Sequence, residues 1–245
     1  MSEPPRGASS RGAPSEAEAE RILREQERRR QELPEDFYAR HKAANLFLRH
    51  GQERALRRAL ERFGQLPLEG KEILEVGCGD GSWWSLFEAF GARREDLHGI
   101  DLEERRVEVC RGLYPQAEVR VGNAAELPWP DDRFDLVFQS TVFTSILDPE
   151  IRRRVAAEMM RVVRPEGHIV WYDFLFDNPS NANVQGVSSG ELRKLFPDYR
   201  WKVWRVTLAP PLARRLVPRA WTLAALLESI RLLNSHALGV AWPKT

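Results

Sequence analysis

Three glycines spaced two apart, Gly77, Gly79 and Gly81, stand directly behind an apolar run of Ile73, Leu74 and Val76 that carries one acid, Glu75. The run reads as a short buried strand, and Ser82-Trp83-Trp84-Ser85-Leu86-Phe87 reads as the opening turns of a helix. A strand that enters a helix through closely spaced glycines brings bare backbone N–H groups against a ligand. Glycine adopts backbone angles closed to other residues and has no side chain in the way. That is the chemistry of a nucleotide-type cofactor site. The spacing is Gly-x-Gly-x-Gly, however, and not the Gly-x-Gly-x-x-Gly that opens dinucleotide folds. Glu75, two positions before the first glycine, would repel a pyrophosphate and suits a cofactor that carries positive charge.

At this motif the sequence resembles the class I S-adenosylmethionine (SAM)-dependent methyltransferases, whose first motif reads as an apolar pair, an acid, an apolar residue, then Gly-x-Gly-x-Gly. The resemblance runs in order through residues 71–174 and is nearest the branch that contains the ubiquinone and menaquinone biosynthesis methyltransferases. It implies that Asp101, closing a second strand over residues 97–102, holds the two ribose hydroxyls. The segment Gly122-Asn123-Ala124-Ala125-Glu126-Leu127-Pro128 follows a third strand, residues 118–121, and resembles the segment at the adenine edge, with Asn123 where Asp is more usual. Gln139 ends a fourth strand, residues 134–139, and is expected to face the methionine part of the cofactor. Residues 161–171 read as a helix end, a turn and a fifth strand. The implied cofactor-binding set is Glu75, Gly77, Cys78, Gly79, Gly81, Asp101, Leu102, Asn123, Ala124 and Gln139.

The elements that must position these residues form an α/β fold. The resemblance implies a Rossmann-like sheet of seven strands in the order 3-2-1-4-5-7-6, strand 7 antiparallel, with helices on both faces. Residues 1–19, rich in Pro, Gly, Ser and Glu, read as a disordered tail. Residues 20–66 read as an N-terminal helical lid with an Arg- and Glu-rich helix to residue 33 and an amphipathic helix over residues 53–63. Residues 67–208 form the cofactor-binding core, and residues 235–245 the last strand and C-terminus. Between strands 6 (200–208) and 7 (236–242), residues 209–234 hold a helical insert with Leu212, Leu216, Trp221, Leu223, Leu226, Leu227, Ile230 and Leu233. Because strand 6 ends and an antiparallel strand 7 begins on the edge where parallel sheets bind ligands, the insert is expected over the site. Three readings of it stand side by side: a helix covering the sheet, a wall of an acceptor pocket, and a basic amphipathic contact with a membrane surface.

The edge rule also sorts the candidates for chemistry. His98 and His168 sit at strand starts, away from the active edge, and are assigned to structure. Asp173 lies just past a strand end, and it heads the candidate bases, followed by His41 in the lid and His236 at the start of strand 7. Tyr38, Asn45 and Tyr172 are candidate acceptor-binding residues. The segment after the fourth strand often carries a histidine in relatives. Here Thr141-Val142-Phe143-Thr144 stands there, so no base is carried over from the family.

Composition narrows the partners. A formal charge of +1 gives no global field for nucleic acid, and the arginines of residues 20–33 are interleaved with glutamates that cancel theirs. No Asn/Asp-Pro-Pro-aromatic motif follows the fourth strand. Cys78 and Cys110, the two cysteines, fit reduced thiols in a cytoplasmic protein, and nothing resembles a metal cluster. The resulting reading is a methyltransferase that uses SAM on a small acceptor, such as a sugar, polyketide or quinone-like metabolite. A non-catalytic SAM-binding module and, further off, an NAD(P)-dependent oxidoreductase are the alternatives.

Overall fold

The computed structural model describes residues 12–179 and 181–244. The strands are β1 (Ile73–Val76), β2 (Leu97–Asp101), β3 (Glu118–Val121), β4 (Phe134–Ser140), β5 (Val163–Phe174), β6 (Tyr199–Leu208) and β7 (Asn234–Pro243). The helices are α1 (Gly12–Glu32), α2 (Ala43–Arg62), α3 (Trp84–Ala89), α4 (Glu104–Leu113), α5 (Pro149–Val162), α6 (Ser189–Leu195), α7 (Pro210–Leu216) and α8 (Trp221–Glu228).

All seven strands join one sheet in the order β3-β2-β1-β4-β5-β7-β6, with β7 antiparallel to both neighbours. This is the expected topology. The central strands are apolar without alternation because helices cover both faces, so both sides of each strand are buried. On one face α5 packs Ile151, Val155 and Met159 against Leu74, Val76 and Val137. On the other, Leu56 and Leu60 of α2 with Trp84 and Phe87 of α3 cover Ile73, Phe138 and Tyr172. α5 starts where the sequence places a cap: the Asp148 carboxylate accepts from the backbone N–H of Glu150 and Ile151, and Pro149 takes the first helical position.

Three elements depart from the sequence reading. α1 begins at Gly12, well before residue 20, and only residues 1–11 of the expected tail lie outside the described residues. Its first turns gain partners that composition cannot announce. Ser15 accepts from Asn123 Nδ2 at 2.7 Å, Glu18 accepts from the Leu147 N–H, and Glu25 accepts from Asn181 and Asn183. α2 begins ten residues before the expected helix, because Ala44, Phe47 and Leu48 pack against Ala213, Val217 and Ala224 of the insert. Finally, the turn expected at Arg164 to Gly167 lies inside β5. Phe134 pairs with Val163 and Leu136 with His168, so those four residues bulge opposite Asp135 alone, and Arg164 ion-pairs with it.

Candidate functional site

The three glycines of the β1–α3 loop all have positive φ, +71° at Gly77, +52° at Gly79 and +73° at Gly81, a region in which residues with a Cβ are strained. Space is short as well. A Cβ at Gly77 would come within 2.3 Å of a Val142 methyl, and one at Gly79 within 2.0 Å of the Arg106 guanidinium. The loop is fastened from β2. Asp101 accepts from the Gly79 N–H with Oδ2 and from the Glu103 N–H with Oδ1, each at 2.9 Å. A carboxylate has about four lone-pair sites, so roughly two remain on Asp101, which lines the cavity.

That cavity lies at the carboxyl edge of the sheet and has a volume of about 1500 Å³. Small-molecule sites are typically ~300–1,000 Å³, so there is room for a cofactor and a second ligand together. α1 crosses one side of it, tied to the strand-end loops by Ser15, Glu18 and Glu25, with Arg30 ion-paired to Glu103 at 3.1 Å. The turn around Phe37, held by Asn45 Nδ2 donating to the carbonyls of Phe37 and Ala39, forms another wall. Ala209, Pro210, Pro211 and Arg214 of the insert contribute a third. Thr141 and Thr207, both on the rim, have φ of +59° and +66°. Such angles cost a β-branched residue about 1–3 kcal/mol, and they cluster where function fixes the backbone.

The expected cofactor residues divide into those that reach the cavity and those that support it. Gly77, Asp101, Leu102, Asn123 and Ala124 line it. Asn123 Oδ1 accepts from the Ala125 N–H, and Nδ2 spends one hydrogen on Ser15, which leaves the other for a base edge. Gly79 and Gly81 do not line the cavity: the Gly79 N–H is spent on Asp101 and the Gly81 N–H on the Cys78 carbonyl. Cys78 is buried below the loop, and contact with Cys110 together with burial raises its thiol pKa. Glu75 is also buried, with Oε2 unpartnered among the described residues. Burial, reinforced by Cys110, raises its carboxyl well above the usual range. Gln139 requires a correction. It does not line the cavity: Oε1 accepts from the Val142 N–H at 3.0 Å and Nε2 donates to the Tyr172 carbonyl at 3.4 Å, so it braces the loop after β4.

The candidate bases are corrected more sharply. Asp173 is fully buried, and its carboxyl accepts from the N–H groups of Phe143, Thr144 and Phe174 and, at 2.6 Å, from the Thr144 hydroxyl. Every lone pair has a donor, and none faces the cavity. His41 is exposed and lies off the cavity wall. Tyr172 is buried, and its hydroxyl bonds Gln52 and Thr207, each at 2.9 Å; those two residues, and not the tyrosine, line the site. Tyr38 and Asn45 do line it, Tyr38 with its hydroxyl bonded by Arg29.

Of the three candidates only His236 lines the cavity. Its ring stacks on Tyr172 at 4.9 Å and tilts over Phe174 at 3.8 Å, with Nδ1 3.0 Å from the Ser235 hydroxyl. Burial lowers its pKa from 6.5 to about 3, so it is a neutral hydrogen-bonding group at physiological pH. The folded state resists a proton that the unfolded chain takes up near 6.5, so stability present above that pH is lost as pH falls toward 3. We expect His236→Gln to lower the slope of unfolding free energy against pH across that window by one proton's worth, measured by urea denaturation at a series of pH values. An unchanged slope would contradict the depressed histidine.

The sequence reading missed the arginines. Arg40 and Arg49 converge on the Ser82 carbonyl at 3.3 and 2.8 Å, with Arg49 lying 4.0 Å over the Trp83 ring and paired to Glu53 at 2.8 Å. Arg106 stands 3.6 Å from Asp80, and Arg214 stacks 4.5 Å from the Phe37 centroid. In so arginine-rich a chain, no spacing distinguishes these four. Two guanidiniums meeting beside the glycine loop suit a carboxylate such as that of a methionine moiety. The glycine cradle, the two remaining acceptor sites on Asp101 and this arginine pair together fit SAM.

Comparison with known proteins agrees with this geometry. Residues 74–171 match a family model described as a methyltransferase domain. A probable S-adenosylmethionine-dependent methyltransferase of Mycolicibacterium smegmatis is 39% identical over 98 residues, 40% of this chain and 36% of that protein. The demethylmenaquinone methyltransferase of Lysinibacillus sphaericus is 38% identical over 105 residues, 41% of this chain and 43% of that protein. The chain thus spans less than half the length of these curated relatives. Among solved structures, a SAM-dependent methyltransferase of Thermotoga maritima described as a possible histamine N-methyltransferase superposes with a TM-score of 0.60 at 17% identity, over 93% of this chain and 99% of that one. Residues 74–171 thus match a methyltransferase domain, and the seven-stranded sheet around them has the strand order of the class I SAM-dependent methyltransferase fold.

Proposed function

We propose that the protein transfers the methyl group of SAM to a small-molecule acceptor bound between the Phe37 turn and the insert. The observation that carries this reading is the glycine loop fastened to Asp101, which opens into a cavity large enough for two ligands. When bound, SAM supplies an electrophilic methyl on a sulfonium. The protein's part is to align the acceptor and exclude water. Gln52, Thr207 and His236 present hydrogen-bonding groups on the acceptor side, while Phe37, Pro210, Pro211 and Phe174 give it apolar walls. With its pKa held near 3, His236 is a weak base. It accepts a hydrogen bond from an acceptor hydroxyl and orients it, which suits an acceptor already activated, such as a phenol or an enolisable ring carbon. Among sugars, polyketides and quinone-like rings, the mixed lining favours the last two, and the demethylmenaquinone methyltransferase similarity points the same way. The test is S-adenosylhomocysteine formation from SAM with a panel of hydroxylated aromatic acceptors. Acceptor-dependent turnover is expected. SAM binding without turnover across acceptor classes would instead favour a non-catalytic module, and hydride transfer from NAD(P)H would overturn the assignment.

A further inference from the structure

We infer that the α7–α8 hairpin docks the protein on an anionic lipid surface, with the cavity mouth beside the contact. This deepens the proposed function, because it rests on the insert being the acceptor-side wall and names where an apolar acceptor would come from.

The inner side of the hairpin is accounted for. Ala213, Val217 and Ala224 are buried against Phe47, Leu48 and Leu208. The outer side is not. Leu223 and Leu226, three residues apart on α8 and so on one face, are exposed, as are Trp221, Ile230 and Leu232. Leu226 is 65% and Leu232 80% accessible, values expected of charged residues and not of leucines in a chain with an ordinary core. Half of the exposed large apolar side chains among the described residues fall within this short stretch. Clustering of this kind marks an interaction surface, whereas single exposed leucines carry no such meaning.

The charge around the patch selects the partner. Arg214, Arg215, Arg219 and Arg231 are all exposed on the insert, and Arg219 reaches back to the Arg215 carbonyl at 3.1 Å, which places those two side by side. The only acid of residues 209–234 is Glu228, and Arg54 of α2 binds its carboxylate at 2.7 Å. A chain with a net charge of only +1 therefore puts four arginines on the segment that carries its two most exposed leucines. Exposed leucine, isoleucine and tryptophan on one segment with four exposed arginines suit insertion at an acyl boundary beneath anionic headgroups. The patch also runs into the site. Arg205 donates to the carbonyls of Leu232 and Asn234 and lies over the exposed Phe176 ring at 5.0 Å, and both Phe176 and Arg214 line the cavity. No helix among the described residues is long and apolar enough to cross a membrane, so the contact is peripheral.

The experiment is co-sedimentation of the full chain with vesicles of equimolar phosphatidylglycerol and phosphatidylcholine, against vesicles of phosphatidylcholine alone. The wild type should partition onto the anionic vesicles and release as salt rises. Arg215→Gln with Arg219→Gln should weaken partitioning by about fivefold per arginine. Leu226→Glu with Leu232→Glu should weaken it on the order of tenfold per leucine. Both double variants should keep the wild-type melting temperature. If the leucine variant fails to fold, the arginine variant, which alters only exposed charge, decides alone. The inference is overturned if the wild type sediments no better with anionic vesicles than with zwitterionic ones, or if both variants bind undiminished. It is also overturned if the wild type dimerises in sedimentation velocity and the leucine variant does not, since a second copy would then cover the face. Neither donor nor acceptor is present in these measurements, so their failure leaves the methyltransferase reading standing, and loss of that reading leaves them interpretable.

Discussion

Replacing Asp101 with alanine is expected to weaken SAM binding roughly 100-fold or more in titration calorimetry. The estimate follows from the carboxylate's two jobs. With one pair of lone pairs it holds the Gly79 and Glu103 N–H groups at 2.9 Å, fixing the loop that presents backbone to the cofactor. With the other it can take the two ribose hydroxyls. Hydrogen bonds to a charged acceptor contribute about 1.5–3 kcal/mol each, so loss of the ribose pair alone reaches two orders of magnitude. Asp101→Asn, which keeps one acceptor oxygen, should fall between. Gly79→Val should reach a similar loss by another route. Valine would have to adopt a φ near +52° and displace the Arg106 guanidinium from within 2.0 Å of its Cβ. Affinity unchanged in both Asp101→Ala and Gly79→Val would remove the cofactor assignment, since among the described residues Asp101 is the side chain that fastens Gly79 to β2.

Such a prediction could be framed from residue types because the donor half of the site is built from features that sequence records directly. Strands buried on both faces read as continuous apolar runs, a loop that needs positive φ shows glycines, and an acid ends the next strand. The acceptor half is different. Edge position placed Gln139 at the end of its strand, whereas Asp173, expected just past β5, lies inside it; whether a side chain enters the cavity or turns beneath a loop depends on which backbone amides lie nearby. Here Phe143, Thr144 and Val142 supply those amides from the segment after β4, and the two side chains turn to them. α1 was underestimated for a related reason. Its amphipathic signal is weak, and its first turns are held by single polar contacts to Asn123 and Leu147, distant in sequence. The arginines were invisible singly, since only packing against Trp83, Phe37 and the Ser82 carbonyl distinguishes Arg40, Arg49 and Arg214 from the many that face solvent.

The reassignment of Asp173 from candidate base to loop anchor has a large expected consequence. Asp173→Ala would leave three backbone N–H groups and the Thr144 hydroxyl without their acceptor in a fully buried setting. Each orphaned buried donor costs about 1–3 kcal/mol, and relaxation recovers part, so a loss of about 3–5 kcal/mol is expected. For a domain of this size that lowers the melting temperature by roughly 10 °C. The pH dependence adds an independent check. Burial raises the carboxyl from 3.8 to about 6 against the pull of its hydrogen bonds. The folded state then holds a proton that the unfolded chain has released, so stability present below 3.8 is lost as pH rises through 6. His236 acts with the opposite sign across nearly the same range, gaining stability as pH rises from 3 to 6.5. In the wild type the two slopes offset each other. Asp173→Asn should expose the rising limb of His236, and His236→Gln the falling limb of Asp173, when unfolding free energy is followed by urea denaturation between pH 3.5 and 6.5. A catalytic Asp173 would behave otherwise: Asp173→Asn would melt and bind SAM like the wild type yet lose turnover, and that result would return it to the reaction.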